Sequence, residues 1–329
     1  MKKIFFALAA LVLAFTGCSQ EEDAIQVSEK KAIKVVVIMD KPGFGEDTRA
    51  PRTKWEAGDE VICTMGGPST GIRLTYDANS DSWTTKMLRI SGPNYREADF
   101  DAVMASFLEN PEDAEGRIMA AYFSSGIQSL AFVAPPTTTM PTMAITTNAS
   151  LASTKMGECV MTCEDGTYKV EETASEYVLT LEITMKPRVA QYTIRNLNVE
   201  DGWNISIEGP VNGYAGGKIT PDGVELTLIE DVLYGYPHQN GNDISIFAAP
   251  WQSNADIPDF IRSLPGYEIT SEESYKEPYY FTVHDEDTYW FVREFDYKEV
   301  AIGGAVIMDG PYTEDEDGNK TAGAQEWEE

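Results

Sequence analysis

The chain has 329 residues, with 54 acidic against 25 basic side chains, a formal charge of −29 and 42% apolar residues. That apolar share is too high for a disordered chain, and the length favours two domains at roughly 100–200 residues each. The acidic balance argues against nucleic acid as a partner and against docking on anionic lipid through basic patches. Two histidines, His238 and His284, leave little room for histidine-based metal sites or the commonest acid–base chemistry. No cofactor and no enzymatic activity are expected.

Residues 1–17 read as a signal peptide. Lys2 and Lys3 precede an apolar run from Ile4 to Phe15, too short for a bilayer span of roughly twenty residues. The run ends Phe15-Thr16-Gly17-Cys18. A small residue followed by cysteine at the end of the apolar core is the lipoprotein pattern. The chain is then cut between Gly17 and Cys18, and the Cys18 thiol is acylated. Several acyl chains anchor lastingly, at ~0.8 kcal/mol per buried CH₂. Ser19-Gln20-Glu21-Glu22-Asp23 resembles the acidic tag of surface-exported lipoproteins of some Gram-negative anaerobes. That resemblance implies an outer-membrane lipoprotein exposed on the cell surface.

Ala32–Met39 (Ala-Ile-Lys-Val-Val-Val-Ile-Met) is a β-branched strand, with Ile33, Val35 and Val37 on one face. Lys41–Arg49 is rich in Pro, Gly and Asp and reads as a loop suited to a protease. Arg49-Ala50 stands at its end, with Arg52 just beyond. The rival reading keeps Arg49 as an uncut loop arginine and 32–39 as the first strand of a permanent sandwich.

The body reads as all-β. Gly67-Pro68-Ser69-Thr70-Gly71 matches G-x-S-x-G, but it sits between strand-like Val61–Met65 and Ile72–Tyr76, so a hairpin turn is expected rather than a nucleophile elbow. Phe100, Val103, Met104, Phe107 and Leu108 follow helical spacing, and Asn110-Pro111 stops the helix. Pro135–Pro141 is a stiff crossing segment. Cys63, Cys159 and Cys163 are expected to be buried free thiols. Cys159 and Cys163 are roughly 13 Å apart in a strand, too far to bridge directly, while Cys63 could pair with either. Asp165-Gly166, Asp201-Gly202, Asp222-Gly223 and Asn240-Gly241 read as turns between strands. Tyr177, Leu179, Leu181, Ile183 and Met185 alternate on one face, and Pro187 breaks that run. Trp203 and Trp251 are candidates for a sugar-stacking platform, although aromatics at strand positions are usually core.

Val300–Met308 is a second small, apolar run, with Val300, Ile302 and Val306 as candidate inward residues. It reads either as the last core strand or as a strand given to a neighbour. In the acidic tail, Asp315, Asp317, Asn319 and Glu326 have the residue types of calcium-loop positions. Lys320 stands where that loop needs glycine, so a solvated tail is the preferred reading. The resulting division is 1–17 signal peptide, 18–49 lipidated segment with its strand, 50–166 and 167–312 β domains, and 313–329 tail.

Asp47-Thr48-Arg49-Ala50, followed by Trp55-Glu56-Ala57-Gly58-Asp59-Glu60-Val61, resembles the fimbrillin family, the lipoprotein-precursor pilins and pilin-like adhesins of Gram-negative anaerobes. Ala121–Ser124, Met143-Ala144, Met185–Ile194 and Glu326-Trp327-Glu328 are similar to further family stretches. The lipobox and the Trp-x-x-Gly-Asp step carry most of the likeness. It implies two tandem transthyretin-like β-sandwich domains. It also implies cleavage after an arginine, with Arg49-Ala50 the candidate bond and Arg52 an alternative, loss of the first strand, and filling of the resulting groove by a neighbour's strand. The implied partners are other fimbrial subunits, the outer membrane through the lipid, and a host protein or glycan; the implied place after maturation is the fimbrium. A surface glycan-binding lipoprotein of a polysaccharide-uptake system shares the signal, tag and sandwiches, and stands as the alternative.

Overall fold

The computed structural model describes residues 31–42, 54–136, 138–148, 159–195, 204–229, 233–235, 238–240, 243–257, 259–266, 275–276, 278–284, 289–295, 299–309, 313–314 and 320–321. In chain order the elements are β1 (Ala32–Asp40), β2 (Glu60–Met65), β3 (Thr70–Asp77), β4 (Ser82–Ser91), β5 (Asn94–Glu97) and helix α1 (Phe100–Leu108). Next come β6 (Glu115–Phe123), β7 (Ile127–Val133), β8 (Thr142–Thr147), β9 (Val160–Glu172), β10 (Glu176–Thr184) and the short β11 (Lys186–Pro187). The second half holds β12 (Ala190–Arg195), β13 (Asn204–Glu208), β14 (Val211–Ile219), β15 (Val224–Ile229), β16 (Leu233–Gly235), β17 (His238–Asn240) and β18 (Asp243–Pro250). The short helix α2 (Asp259–Arg262), β19 (Tyr279–His284), β20 (Tyr289–Phe295), β21 (Ala305–Asp309), β22 (Thr313–Glu314) and β23 (Lys320–Thr321) follow. The protein is an all-β sandwich, as its sequence pattern anticipates.

One ladder positions the site. β1 runs parallel to β10. β10 is antiparallel to β9, β9 to β6, β6 to β2, β2 to β3, and β3 to β4. From β4 the path continues through β5, β7 and β8 to β14 and β15. In the second half β12 lies between antiparallel β18 and parallel β21. Alternation explains the layers: inward Leu179, Leu181 and Ile183 of β10 are buried, together with Val61, Ile72, Ile118 and Val170. Each fully buried side chain of this kind contributes ~1.5–3 kcal/mol.

The helix forms where its spacing places it. The Asp99 carboxylate accepts from the Ala102 N–H at 3.2 Å, and Val103, Met104 and Phe107 turn inward. The G-x-S-x-G stretch is a hairpin: Thr64 pairs with Gly71 across it. Asp222-Gly223 turns β14 into β15 as expected. Cys63, Cys159 and Cys163 are buried thiols outside any disulfide among the described residues, and burial, with Cys163 adding, pushes the Cys63 thiol far above its usual range.

The Asp165-Gly166 turn does not form. β9 runs unbroken from Val160 to Glu172, so the division expected after Gly166 falls inside a strand. Both flanks of that point pair with β6. A Cβ on Gly166 would stand 2.6 Å from Ile118 Cγ2 and 2.8 Å from the Glu182 carbonyl oxygen. Glycine is there because β6 and β10 close on β9 from either side, not because the chain reverses. Residues 31–329 cluster as one compact unit, and the described chain changes from the β9 ladder to the β12 ladder only around Arg188 and Val189.

Candidate functional site

The site is the seat of β1 and the anchor at its end. Val35 faces Leu179, Val37 faces Leu181 and Met39 faces Ile183 in the parallel register. Val35, Val37 and Met39 are half-buried against the core, whereas Ile33 is 42% exposed. The grip of β1 therefore begins at Val35, one step along the row from Ile33. Among the described residues β1 pairs with β10 alone. A ladder of this kind leaves the outer edge of the strand open.

Lys41 follows directly. Composition assigns it to a cuttable loop, yet its side chain is 1% exposed. Its Nζ donates to Asp59 Oδ2 at 2.9 Å and to the Tyr122 hydroxyl at 3.2 Å. The same ammonium lies 4.7 Å from the Trp55 ring centroid and 4.8 Å from that of Tyr122. Tyr122, fully buried on β6, donates to Asp59 Oδ1 at 2.9 Å. Trp55 stands edge-on to Tyr122 and Trp83, at 5.2 and 4.9 Å between centroids. Both Asp59 oxygens are thus satisfied, and the cation sits between two ring faces, where desolvation makes that attraction worth ~2 kcal/mol or more.

The Trp-x-x-Gly-Asp step is what builds this socket. Gly58 adopts φ +85°, a left-handed turn that a side chain resists. The turn brings the Asp59 carboxylate back onto the Glu56 N–H at 2.8 Å, and the Asp59 N–H reaches the Glu56 carbonyl at 2.9 Å. Asp59 thereby leads into β2 with its carboxylate fixed toward Lys41. The sequence held a signal for Lys41, namely a lone lysine closing an apolar strand immediately before Pro42. Its partners stand 18 and 81 residues away, so local pattern did not disclose them.

At the other end of β1, Lys31 Nζ meets Glu172 Oε1 at 2.6 Å and the Thr173 carbonyl at 2.9 Å. That pair is part-exposed, so solvent screens it.

The second apolar run differs from expectation. Val300 is buried, but Ile302 is 44% exposed at a tight turn, where the Gly304 N–H bonds the Ala301 carbonyl at 2.9 Å. The strand is only Ala305–Asp309, with Val306 buried, and it is seated parallel to β12. Val300 and Ile302 therefore do not share a strand with Val306. One signal in this region was missed: Val37-Ile38-Met39-Asp40-Lys41-Pro42 of β1 recurs as Val306-Ile307-Met308-Asp309-Gly310-Pro311. Among the described residues, the Val-Ile-Met-Asp part of each copy lies in a strand with a parallel partner, β1 and β21.

Gly17, Cys18, Arg49, Ala50, Arg52, Asp315, Asp317, Asn319 and Glu326 lie outside the described residues, as does Trp203. Trp251 is buried and offers no exposed face for a sugar. Among the described residues no three His, Cys, Asp or Glu side chains stand together as a metal site, and no helix is long and apolar enough to cross a membrane.

No protein-family model matches this sequence, and no curated protein matches it. Among solved structures, the chain is similar to a fimbrial protein from Bacteroides ovatus ATCC 8483, at 11% identity and a TM-score of 0.35 over 90% of this chain and 50% of that one. It thus spans about half the length of that protein. It is also similar to the fimbrial anchor protein Mfa2 from Porphyromonas gingivalis, at 9% identity and a TM-score of 0.29 over 88% of this chain and 94% of that one.

Proposed function

We propose that this chain is a structural or adhesive subunit of a cell-surface fimbria, held to the outer membrane by acyl chains on Cys18 and matured by strand exchange. The role is mechanical and not enzymatic. The observation that carries the reading is β1 itself. Among the described residues it is an end strand laid parallel on β10, and it is joined to the body through residues 43–53, which contain Arg49 and Arg52. Its removal uncovers the β10 edge and the apolar row Leu179, Leu181 and Ile183.

Hydrolysis of Arg49-Ala50 by an external protease adds water across the peptide bond. Arg49 keeps the new carboxylate and Ala50 the new amine. β1 is then held without a covalent link, by strand pairing, packing and the contacts of Lys41. An apolar strand of a neighbouring subunit can take its place, because an open edge is a template for strand addition. In this chain the strand available to give away is β21, seated at the end of its own ladder.

The test is to treat lipid-free protein with an arginine-specific protease and follow mass by light scattering after gel filtration. Multimers are expected once the cut chain is mixed with partner subunits, and none before cutting. If cutting at Arg49 or Arg52 never yields multimers, alone or with partner subunits, the strand-exchange role fails and a permanently closed surface lipoprotein remains.

A further inference from the structure

We infer that Asp59, Tyr122 and Trp55 form an ammonium socket that selects which strand occupies the groove beside β10, admitting a strand with a lysine two residues beyond its last inward apolar side chain. The inference rests on the strand-exchange reading above and adds its specificity.

The socket is built before any lysine arrives. Asp59 is fixed by the Gly58 turn and the Glu56 N–H. Tyr122 is fixed within β6, fully buried. Trp55 is fixed against Trp83. With β1 seated the Asp59 side chain is 9% exposed; when β1 leaves, the carboxylate loses both its cation and its cover, and an incoming strand that covers it again without a cation buries it unpaired. A buried charge without its partner is strongly unfavourable, so a strand that brings no cation leaves that cost standing. A strand that does bring one is also held in register, because a slip of one residue turns the apolar row outward and moves the ammonium out of reach.

The internal repeat makes the selection concrete. Aligning Val306 with Val37 and Met308 with Met39 places Gly310 at the position of Lys41. The chain's own C-terminal strand matches the apolar row and lacks the cation. Its groove therefore favours a β1-like strand of a different subunit over the C-terminal strand of a second copy, and self-polymerisation through β21 is disfavoured.

The experiment uses the full lipid-free chain cut in residues 43–53, with fluorescent peptides read by anisotropy. The probes are the 33–42 peptide, its Lys41→Gly version, the 304–312 peptide, and its Gly310→Lys version. Both lysine peptides are expected to bind at least tenfold more tightly than their glycine counterparts. Tyr122→Phe in the cut chain should shrink that ratio, and Asp59→Asn should erase it. Lysine and glycine versions binding within twofold of one another would overturn the socket while leaving strand exchange intact. Binding of no peptide at all would overturn strand exchange, and the socket with it.

Discussion

β1 and β21 carry the same Val-Ile-Met-Asp step and both lie parallel to a neighbour, yet they are held differently. β1 is nine residues long, half-buried, and closed by Lys41 in a buried ion pair. β21 is five residues long, starts from the tight turn at Ile302 and Gly303, seats Val306 in the core, and is followed by Gly310. A short alternating apolar step is enough to place a strand at the end of a ladder. It is not enough to specify which strand belongs there. That choice falls to the residue just past the step, and to what the fold has prepared to meet it.

The contrast can be broken most severely at Lys41. Lys41→Ala in the uncut chain leaves Asp59 buried and unpaired, which should lower stability by about 3–5 kcal/mol in urea unfolding. A loss below ~1 kcal/mol would mean that water already reaches the carboxylate. The apolar step itself comes next. Val306→Ala removes two buried methylene equivalents, about 1.5 kcal/mol at ~0.8 each. Val37→Ala at a half-buried position should cost less, and equal losses would erase the packing difference between the strands. The smallest effect is expected at Lys31. Lys31→Ala breaks a part-exposed pair and should cost under about 1 kcal/mol, with the difference from wild type shrinking further at high salt. A loss matching that of Lys41→Ala would show that both ends of β1 are locked alike.

Much of the fold was legible because its cues are local. The helix at Phe100–Leu108 follows from apolar spacing and the Asn110-Pro111 stop. The row Tyr177–Met185 follows from strict alternation. The Gly67–Gly71 and Asp222-Gly223 turns follow from residues that suit reversals. Asp165-Gly166 has the same local form and means something else, because the reason for Gly166 is the approach of Ile118 and Glu182 from two other strands. Ile33 and Ile302 are apolar and in pattern, yet exposed, because burial depends on what covers a residue and not on its own chemistry.

The all-β class, the strand at Ala32–Met39 and the Trp-x-x-Gly-Asp landmark could be read directly from the residues. Each is written in neighbouring residues through pleat, turn and propensity. Contacts distant in sequence place Lys41 in the core, carry β9 through Gly166, and seat the two Val-Ile-Met-Asp copies differently. Those outcomes depend on groups brought together from positions tens to hundreds of residues apart. A buried lysine is tolerable only where the fold supplies its carboxylate and rings, so its meaning could not be read before those partners were in place.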